Sequence, residues 1–224
     1  MSRPAAATSA GPVHTSRFES LTGDVEVPFP EYENPPPEPL GLLGRWLDEA
    51  RRTGVREPRS LALATADAHG RPSNRIVVIS AFDDRGLVFA SHSTSRKGRE
   101  LAVNAWASGV LYWRETSQQI VLSGPVERLD DKESDALWAA RPVPLHSMSA
   151  ASRQSEPVHD LEVLRERARR LAEPGLPLPR PARFAGYVLR PADVEFWSAR
   201  PDRLHHRLRY VRVGDGWQTS RLQP

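Results

Sequence analysis

The chain has 224 residues with 21 prolines, no cysteine and a formal net charge of +3. The lack of cysteine excludes disulfides, thiol nucleophiles and Cys-ligated metals, and the length suits a single barrel domain. The small positive excess suits anionic small molecules, and basic residues are interspersed with acidic ones, so nucleic acid is not an expected partner. No apolar run approaches a membrane span and the N-terminus lacks a signal-peptide core, so we expect a cytoplasmic protein.

The first 38 residues differ in composition from the rest. Residues 1–17 are small and polar, which is typical of disorder. The proline-rich arm that follows contains large apolar side chains that need a surface to pack on: Phe18, Leu21, Phe29 and Tyr32. We therefore expect a disordered tail and an arm over residues 1–38 and one folded domain over residues 39–224.

A helix and then a meander of strands are expected at the start of this domain. From Ser60, the runs "LALATAD", "RIVVIS" and "GLVFASH" are rich in β-formers and separated by turn signals. Ser95 is expected to cap a short helix, "RKGRELAVN". The preceding helix, which ends near Gly54, is predicted by apolar residues at helical spacing: Leu40, Leu43, Leu47 and Ala50.

The second half of the chain alternates strands and helices. "GVLYWRE" and "SQQIVLSGPVERL" restore the strand pattern, and a helix is expected from Asp131 to Arg141. A polar loop and a charged helix over residues 160–173 follow, before four closing strands with a turn at residues 214–216. This order predicts an α+β, mainly β protein: a barrel with peripheral helices.

Several catalytic classes lack their sequence motifs here. There is no dinucleotide-binding glycine fingerprint, P-loop, zinc-protease motif or serine-hydrolase elbow. Among seven histidines only His205 and His206 are close in sequence, so no metal site is expected.

The segment from Ser95 to Gly98 offers a different chemistry. A serine cap with Arg96 and Lys97 at a helix N-terminus is suited to an anion such as the phosphate of flavin mononucleotide (FMN). On composition alone, a solvent-facing basic first turn is an equally good interpretation.

Seven motifs occur together in the order and spacing of one family. They are "RPSNRIVVIS", "GLVFASHSTSRKGREL", "SQQIVLSG", "SRQSE", "EFW", "RLHHR" and the terminal "RLQP". From about Ser60 to its end the chain resembles the pyridoxamine 5′-phosphate oxidase family. The resemblance implies an FMN-binding split barrel and a homodimer with FMN at the subunit interface.

The resemblance also implies which residues hold FMN. Arg75 would face its phosphate end, Gln154 and Ser155 would reach over from the second subunit's side, and Trp197 and Arg207 would close the pocket. Taken singly, Trp197 could be core, Gln119 a cross-strand polar pair and Ser155 a helix N-cap. The full implied set is Arg75, Ile76, Val77, Val78, Ala90, Ser91, Arg96, Lys97, Gln119, Gln154, Ser155, Trp197 and Arg207.

The implied substrate site departs from the family pattern. Ser80, Leu137 and Leu145 stand where the vitamin-processing enzymes have Lys, Tyr and Ser, which hold the substrate phosphate. Each lost contact removes about 1.5–3 kcal/mol, so pyridoxamine 5′-phosphate should bind poorly and a larger, flatter, less charged ring should suit the pocket. Three residues of the pattern are retained: Arg141, Arg203 and His205.

A branch of this family that acts in phenazine biosynthesis is the nearest likeness, through segments such as "FESLTGD" and "RLHHRLRY". This resemblance implies removal of hydride from reduced phenazine carboxylates, with O2 reoxidising the flavin. Arg141 or Arg203 would pair with the carboxylate, and His205 would orient the substrate or accept a proton. The arm, with Ser20, would either cover the substrate or merely pack on the dimer. A pyridoxamine phosphate oxidase and a non-catalytic flavin-binding module are the alternatives.

Overall fold

Residues 27–224 are described by a computed structural model of the chain. A short 3-10 turn at Pro30–Tyr32 comes first. The helices are α1 Pro39–Arg52, α2 Arg96–Val103, α3 Asp131–Ala139, α4 Pro144–Ala151 and α5 Leu161–Ala172. The strands are β1 Ser60–Ala66, β2 Pro72–Asp83, β3 Gly86–His92, β4 Trp106–Trp113, β5 Gln118–Arg128, β6 Phe184–Leu189, β7 Asp193–Ser198, β8 His206–Val213 and β9 Gly216–Arg221. Within the described residues, no helix is both long and apolar enough to cross a membrane.

Six antiparallel strands close into a barrel in the order β4-β1-β2-β3-β6-β5, with β4 pairing back to β5. Strand β5 belongs to two sheets, because residues 118–123 pair with β7 whereas residues 126–128 pair with β6. Gly124 lies between these two stretches, where a Cβ atom would be 1.9 Å from the carbonyl oxygen of Arg190. Strands β8 and β9 continue the sheet beyond β7. The expected fold class, an α+β, mainly β split barrel with peripheral helices, is confirmed.

Alternating side chains fill the barrel interior. Along β1, Leu61 and Leu63 are fully buried while their neighbours are half-buried. Across the barrel, the rings of Phe89 and Tyr187 stack with centroids 5.4 Å apart. Burying each such side chain contributes roughly 1.5–3 kcal/mol, so the interior fixes the strand ends that carry the site residues.

The proline-rich arm packs on the barrel, as expected, through two aromatic residues. Phe29 joins the main core and meets Trp46 of α1 edge-on, with ring centroids 4.9 Å apart. Tyr32 stacks on His206 at 4.0 Å with an interplanar angle of 2°. The predicted division at residue 38 stays a prediction. Residues 1–26 lie outside the described part of the chain, and with them the tail expected over residues 1–17 and three residues of the arm: Phe18, Ser20 and Leu21.

The segment expected to be a polar loop after α3 contains helix α4. Pro144 begins the helix, and His146 anchors it: His146 Nε2 lies 3.1 Å from the carbonyl oxygens of Trp138 and Arg141, and its Nδ1 accepts the N–H of Leu178 at 3.2 Å. The contact with Leu178 spans 32 residues, and hydrophobic periodicity within the segment does not indicate any of the three. The expectation of a loop was therefore wrong.

Candidate functional site

Basic and hydroxyl side chains gather where β3 ends and α2 begins. Ser95 caps α2 as expected, its Oγ accepting the N–H of Gly98 at 3.3 Å. Lys97 Nζ donates to Ser91 Oγ at 3.0 Å and to Gln154 Oε1 at 3.4 Å. Burial and the nearby Arg75 lower the pKa of Lys97. We call the following residues the basic cluster: Arg75, Ser91, Arg96, Lys97, Gln154 and Ser155.

Gln154 and Ser155 reach this cluster from their own chain. Ser155 Oγ accepts the backbone N–H of Arg96, the first residue of α2, at 3.1 Å. This corrects the expectation that both residues come from a second subunit, because α4 brings the turn that follows it back over β3. Ser155 is not the cap of α5 either, since Asp160 caps that helix. The φ angle of Ser155 is 70°, a strained value for a residue other than glycine.

Behind the cluster lies a carboxylate that sequence reasoning did not single out. Glu100 is buried and accepts hydrogen bonds from Thr65 at 2.5 Å, Ser73 at 2.6 Å and Arg96 Nε at 2.8 Å. Its Oε2 also lies 3.3 Å from Nη2 of Arg75. Burial opposes ionisation of Glu100, but these hydrogen bonds outweigh it and lower its pKa to about 2. Its position four residues after Arg96, one helical turn away, is the signal that could have identified it.

Strand β2 presents alternate residues to opposite faces. Ile76 and Val78 are exposed by 63% and 62% on the outer face, whereas Val77 is buried in the core. The side chain of Val77 therefore does not face the outside, although it was expected to lie along the flavin; only its backbone can serve there. Ser80 is exposed further along the strand, and Ala90 of β3 is half-buried.

A second group lies on the outer face of β5, β7 and β8. Gln119 pairs with Trp197, and Trp197 with Arg207, so the three form one row across the sheet. Arg207 donates to both carboxylate oxygens of Glu195, at 2.7 and 3.0 Å. The His205 ring lies 4.9 Å from that of Trp197. We call these residues the sheet group: Gln119, Trp197, His205 and Arg207.

The alternatives considered for the sheet group do not hold. Trp197 is half-buried on the outer face and takes no part in the core. Gln119 has Tyr112 and Trp197 as cross-strand neighbours, and its side chain makes no hydrogen bond within residues 27–224. His205 Nδ1 accepts the N–H of Arg200 at 3.1 Å, which assigns its proton to Nε2. Burial and the neighbouring Arg203 lower the pKa of His205, so the ring is neutral. Arg203 has a φ angle of 63°.

Within residues 27–224, no hydrogen bond or ion pair joins the basic cluster to the sheet group. Val78 and Gln119 lie on the same sheet, separated by β1 and β4. Strands β2 and β5 are three strands apart in both directions around the six-stranded barrel, so they lie on opposite sides of it. The residues expected to contact one flavin are thus divided between two separate regions of the chain.

The expected substrate residues occupy different surroundings. Leu137 packs in a small cluster beneath α3, its Cδ1 2.6 Å from where a Cβ of Gly186 would be, while Leu145 is 40% exposed. The Arg141 guanidinium is half-buried and makes no hydrogen bond or ion pair within residues 27–224; its Nε is fully buried without a partner. Burial lowers the pKa of Arg141.

His92, at the end of β3, is a second residue that sequence reasoning missed. It is 1% exposed, and its Nδ1 accepts the N–H of Gln154 at 3.5 Å. Burial, with Arg183, Lys97 and Arg141 nearby, lowers the pKa of His92 to about 4. The ring is therefore neutral, and its Nε2 has no partner among the described residues.

Comparison with known proteins identifies the class of protein. Residues 47–173 match the profile of pyridoxamine 5′-phosphate oxidase, and residues 184–224 match the pyridoxine 5′-phosphate oxidase C-terminal dimerisation region. The chain belongs to the pyridoxamine 5′-phosphate oxidase family and is an enzyme of that family. The family resemblance expected from the seven motifs is confirmed.

Individual relatives indicate which branch of the family the chain resembles. The chain is 57% identical to the dihydrophenazinedicarboxylate synthase of Burkholderia lata, over 95% of this chain and 100% of the relative. It is 55% identical to the Pseudomonas chlororaphis synthase, over 92% and 93%, and 45% identical to a pyridoxine/pyridoxamine 5′-phosphate oxidase of Rubrobacter xylanophilus, over 84% and 88%. The expected likeness to the phenazine-biosynthesis branch is confirmed.

Solved structures agree with these relatives. The structure of Burkholderia lata PhzG in complex with tetrahydrophenazine-1-carboxylic acid has a TM-score of 0.88 and 56% identity, covering 90% of this chain and 100% of that one. An FMN-binding protein of Nostoc punctiforme, 23% identical with a TM-score of 0.66 over 82% and 96% of the two chains, shares the fold.

Proposed function

We propose that this protein is an FMN-dependent oxidase that removes hydride from partly reduced phenazine carboxylates, the hexahydro- and tetrahydrophenazine precursors, with O2 as electron acceptor. The observation that carries an anionic substrate is the unpartnered, half-buried guanidinium of Arg141. Ser80, Leu137 and Leu145 favour a carboxylated ring over a phosphate ester. A buried cation without a counter-charge is costly, so this site favours an anionic group on its ligand. A ring carboxylate supplies one, as in the tetrahydrophenazine-1-carboxylic acid bound by the Burkholderia lata relative.

The basic cluster fits the phosphate of FMN. Arg75 and Lys97 supply positive charge, Ser91 and Ser155 supply hydroxyls, and the N-terminus of α2 supplies the positive end of the helix dipole. The exposed face of β2 at Ile76 and Val78 offers an apolar wall for the ring system. When bound, FMN supplies the hydride acceptor that the protein's own side chains lack.

The division between the basic cluster and the sheet group supports a homodimer with FMN at the subunit interface. In that arrangement each flavin is held by the basic cluster of one protomer and the sheet group of its partner. The C-terminal dimerisation region, residues 184–224, contains Trp197, His205 and Arg207. Exposed apolar side chains on the same sheet, Ile76 and Tyr112 among them, give the partner a surface to cover.

Substrate binding is assigned to residues on both sides of this interface. Arg141 would hold the carboxylate end of the substrate. The further proposed lining on this side consists of Ser80, Leu137 and Leu145. From the partner protomer, Arg203 and His205 would approach the substrate. Because Nε2 of His205 carries the proton, this residue is suited to donating a hydrogen bond and so to orienting the substrate. Loss of hydride from a ring carbon and of a proton from a ring nitrogen to solvent moves the ring toward aromaticity, so the protein's main task is orientation.

The pyridoxine/pyridoxamine 5′-phosphate oxidase activity named for the Rubrobacter relative is the alternative. Ser80, Leu137 and Leu145 argue against it, because Ser80 lacks the positive charge of a lysine and the two leucines have no hydrogen-bonding group for a phosphate. Protein reconstituted with FMN should consume O2 with tetrahydrophenazine-1-carboxylic acid at a kcat/KM at least tenfold above that with pyridoxamine 5′-phosphate, about 1.4 kcal/mol of discrimination. The reverse order would support the alternative, and a flavin-bound protein inactive with both would support a non-catalytic module.

A further inference from the structure

The two arginines of the basic cluster share one carboxylate. Glu100 Oε1 accepts from Nε of Arg96 at 2.8 Å, and Glu100 Oε2 lies 3.3 Å from Nη2 of Arg75. The second oxygen is also held by the hydroxyls of Thr65 and Ser73. One side chain from α2 thereby ties together the start of that helix and strands β1 and β2.

This carboxylate is inside the molecule, whereas Arg96 reaches outward and Arg75 is partly covered. The Glu100 side chain is 6% exposed, against 18% for Arg75 and 57% for Arg96. Four donors surround it, which satisfies a buried anion and fixes its position. Arg96 is anchored through its Nε, and within residues 27–224 it keeps the N–H groups of its two terminal nitrogens free. Arg75 commits both terminal nitrogens to Leu63, Thr65, Ser73 and Glu100 and keeps its Nε N–H. Both guanidinium groups are therefore held in one orientation, which suits recognition of a ligand.

The charge of the cluster also follows from Glu100. Arg75, Arg96 and Lys97 contribute three positive charges and Glu100 one negative charge, a net charge of +2. This value matches a phosphate monoester dianion.

We propose that Glu100 is a positioning residue that orients Arg75 and Arg96 toward the phosphate of FMN. The inference rests on the proposed function. Because Glu100 acts by orientation, its loss weakens phosphate binding even though it makes the cluster more positive. Riboflavin, which has the same ring system without the phosphate, separates this role from a general structural one.

The test measures the Kd of FMN and of riboflavin for the full-length dimer by flavin fluorescence. Glu100→Gln keeps the shape of the side chain but removes its charge. It should weaken FMN binding about tenfold, as expected for the loss of a charge-assisted contact, and leave riboflavin binding within twofold of wild type. Glu100→Asp keeps the charge but withdraws the carboxylate from Arg75, so it should also weaken FMN binding. This variant tests the inference if Glu100→Gln does not fold.

Glu166→Gln is the matched control, because Glu166 also pairs with two arginines, Arg169 and Arg170, but on the exposed surface of α5. It should change neither Kd. FMN binding by Glu100→Gln as tight as wild type or tighter, or an equal loss for FMN and riboflavin, would overturn the inference. A wild-type protein that does not prefer FMN to riboflavin would instead contradict the proposed cofactor site.

Discussion

The hydroxyl of Ser155 accepts the backbone N–H of Arg96 at 3.1 Å, joining the turn after α4 to the first residue of α2. The two residues are 59 positions apart in the chain. This bond satisfies one of the N–H groups at the N-terminus of α2 that have no partner within the helix.

Ser155→Ala removes this bond and a proposed phosphate donor together. We expect the free energy of unfolding to fall by about 0.5–2 kcal/mol, the usual cost of losing a cap, and FMN binding to weaken about threefold to tenfold. Chemical denaturation and flavin titration measure the two effects. Ser152→Ala is the control, since the Ser152 hydroxyl makes no hydrogen bond within residues 27–224. Equal FMN affinity in the two variants would argue against a role for Ser155 in the site.

The strands could be predicted from local sequence, whereas α4 could not. The alternation of Leu61 and Leu63 with smaller residues predicts strand β1. Helix α4 depends on His146, which contacts Trp138 eight residues earlier and Leu178 thirty-two residues later. Local periodicity contains no information on such contacts.

The candidate site, too, could be predicted only where its residues form a local sequence motif. The motif around Arg96 and Lys97 is local, so its place at a helix N-terminus was predictable. The roles of Glu100 and His92 depend on which strands meet at the end of the barrel. The position of Ser155 in its own chain's cluster likewise depends on how α4 folds back, which no sequence motif specifies.

Arg141→Met should separate stability from function. Methionine keeps the apolar length of the side chain and removes an uncompensated, half-buried charge, so the melting temperature should stay the same or rise. For a phenazine carboxylate substrate, kcat/KM should fall by about tenfold to a hundredfold, the value of a charge-assisted contact. A variant of a surface ion pair, Arg190→Met, is the control. A large loss of stability without a loss of kcat/KM would contradict the proposed role.

Complementation tests whether each site is shared between two protomers. Lys97→Ala damages the basic cluster and Trp197→Ala the sheet group, so each homodimer should be nearly inactive. Refolding the two together gives heterodimers in which one site carries both defects and the other carries none. The mixture should recover about a quarter of wild-type activity, since half of the dimers then have one intact site of two. Activity equal to the mean of the two variants would contradict a shared site.

His92 should make stability depend on pH. Its pKa is about 4 in the folded chain against 6.5 for a free histidine, because burial disfavours the charged ring. The stabilisation is complete above pH 6.5 and is lost as the pH falls toward 4, by about 3 kcal/mol over that window. His92→Asn should remove this dependence from denaturation curves, whereas His69→Asn on an exposed turn should not. Identical pH profiles for wild type and His92→Asn would refute the assignment.

Anaerobic mixing of the FMN-loaded protein with tetrahydrophenazine-1-carboxylic acid tests the central claim most directly. The measurement is the visible absorption of the bound flavin. We predict that this absorption bleaches on mixing, because hydride leaves the substrate for the flavin, and that it returns when O2 is admitted. A protein that binds FMN but keeps its full visible absorption with this substrate would contradict the proposed oxidase, and one that binds no FMN would contradict the cofactor site itself.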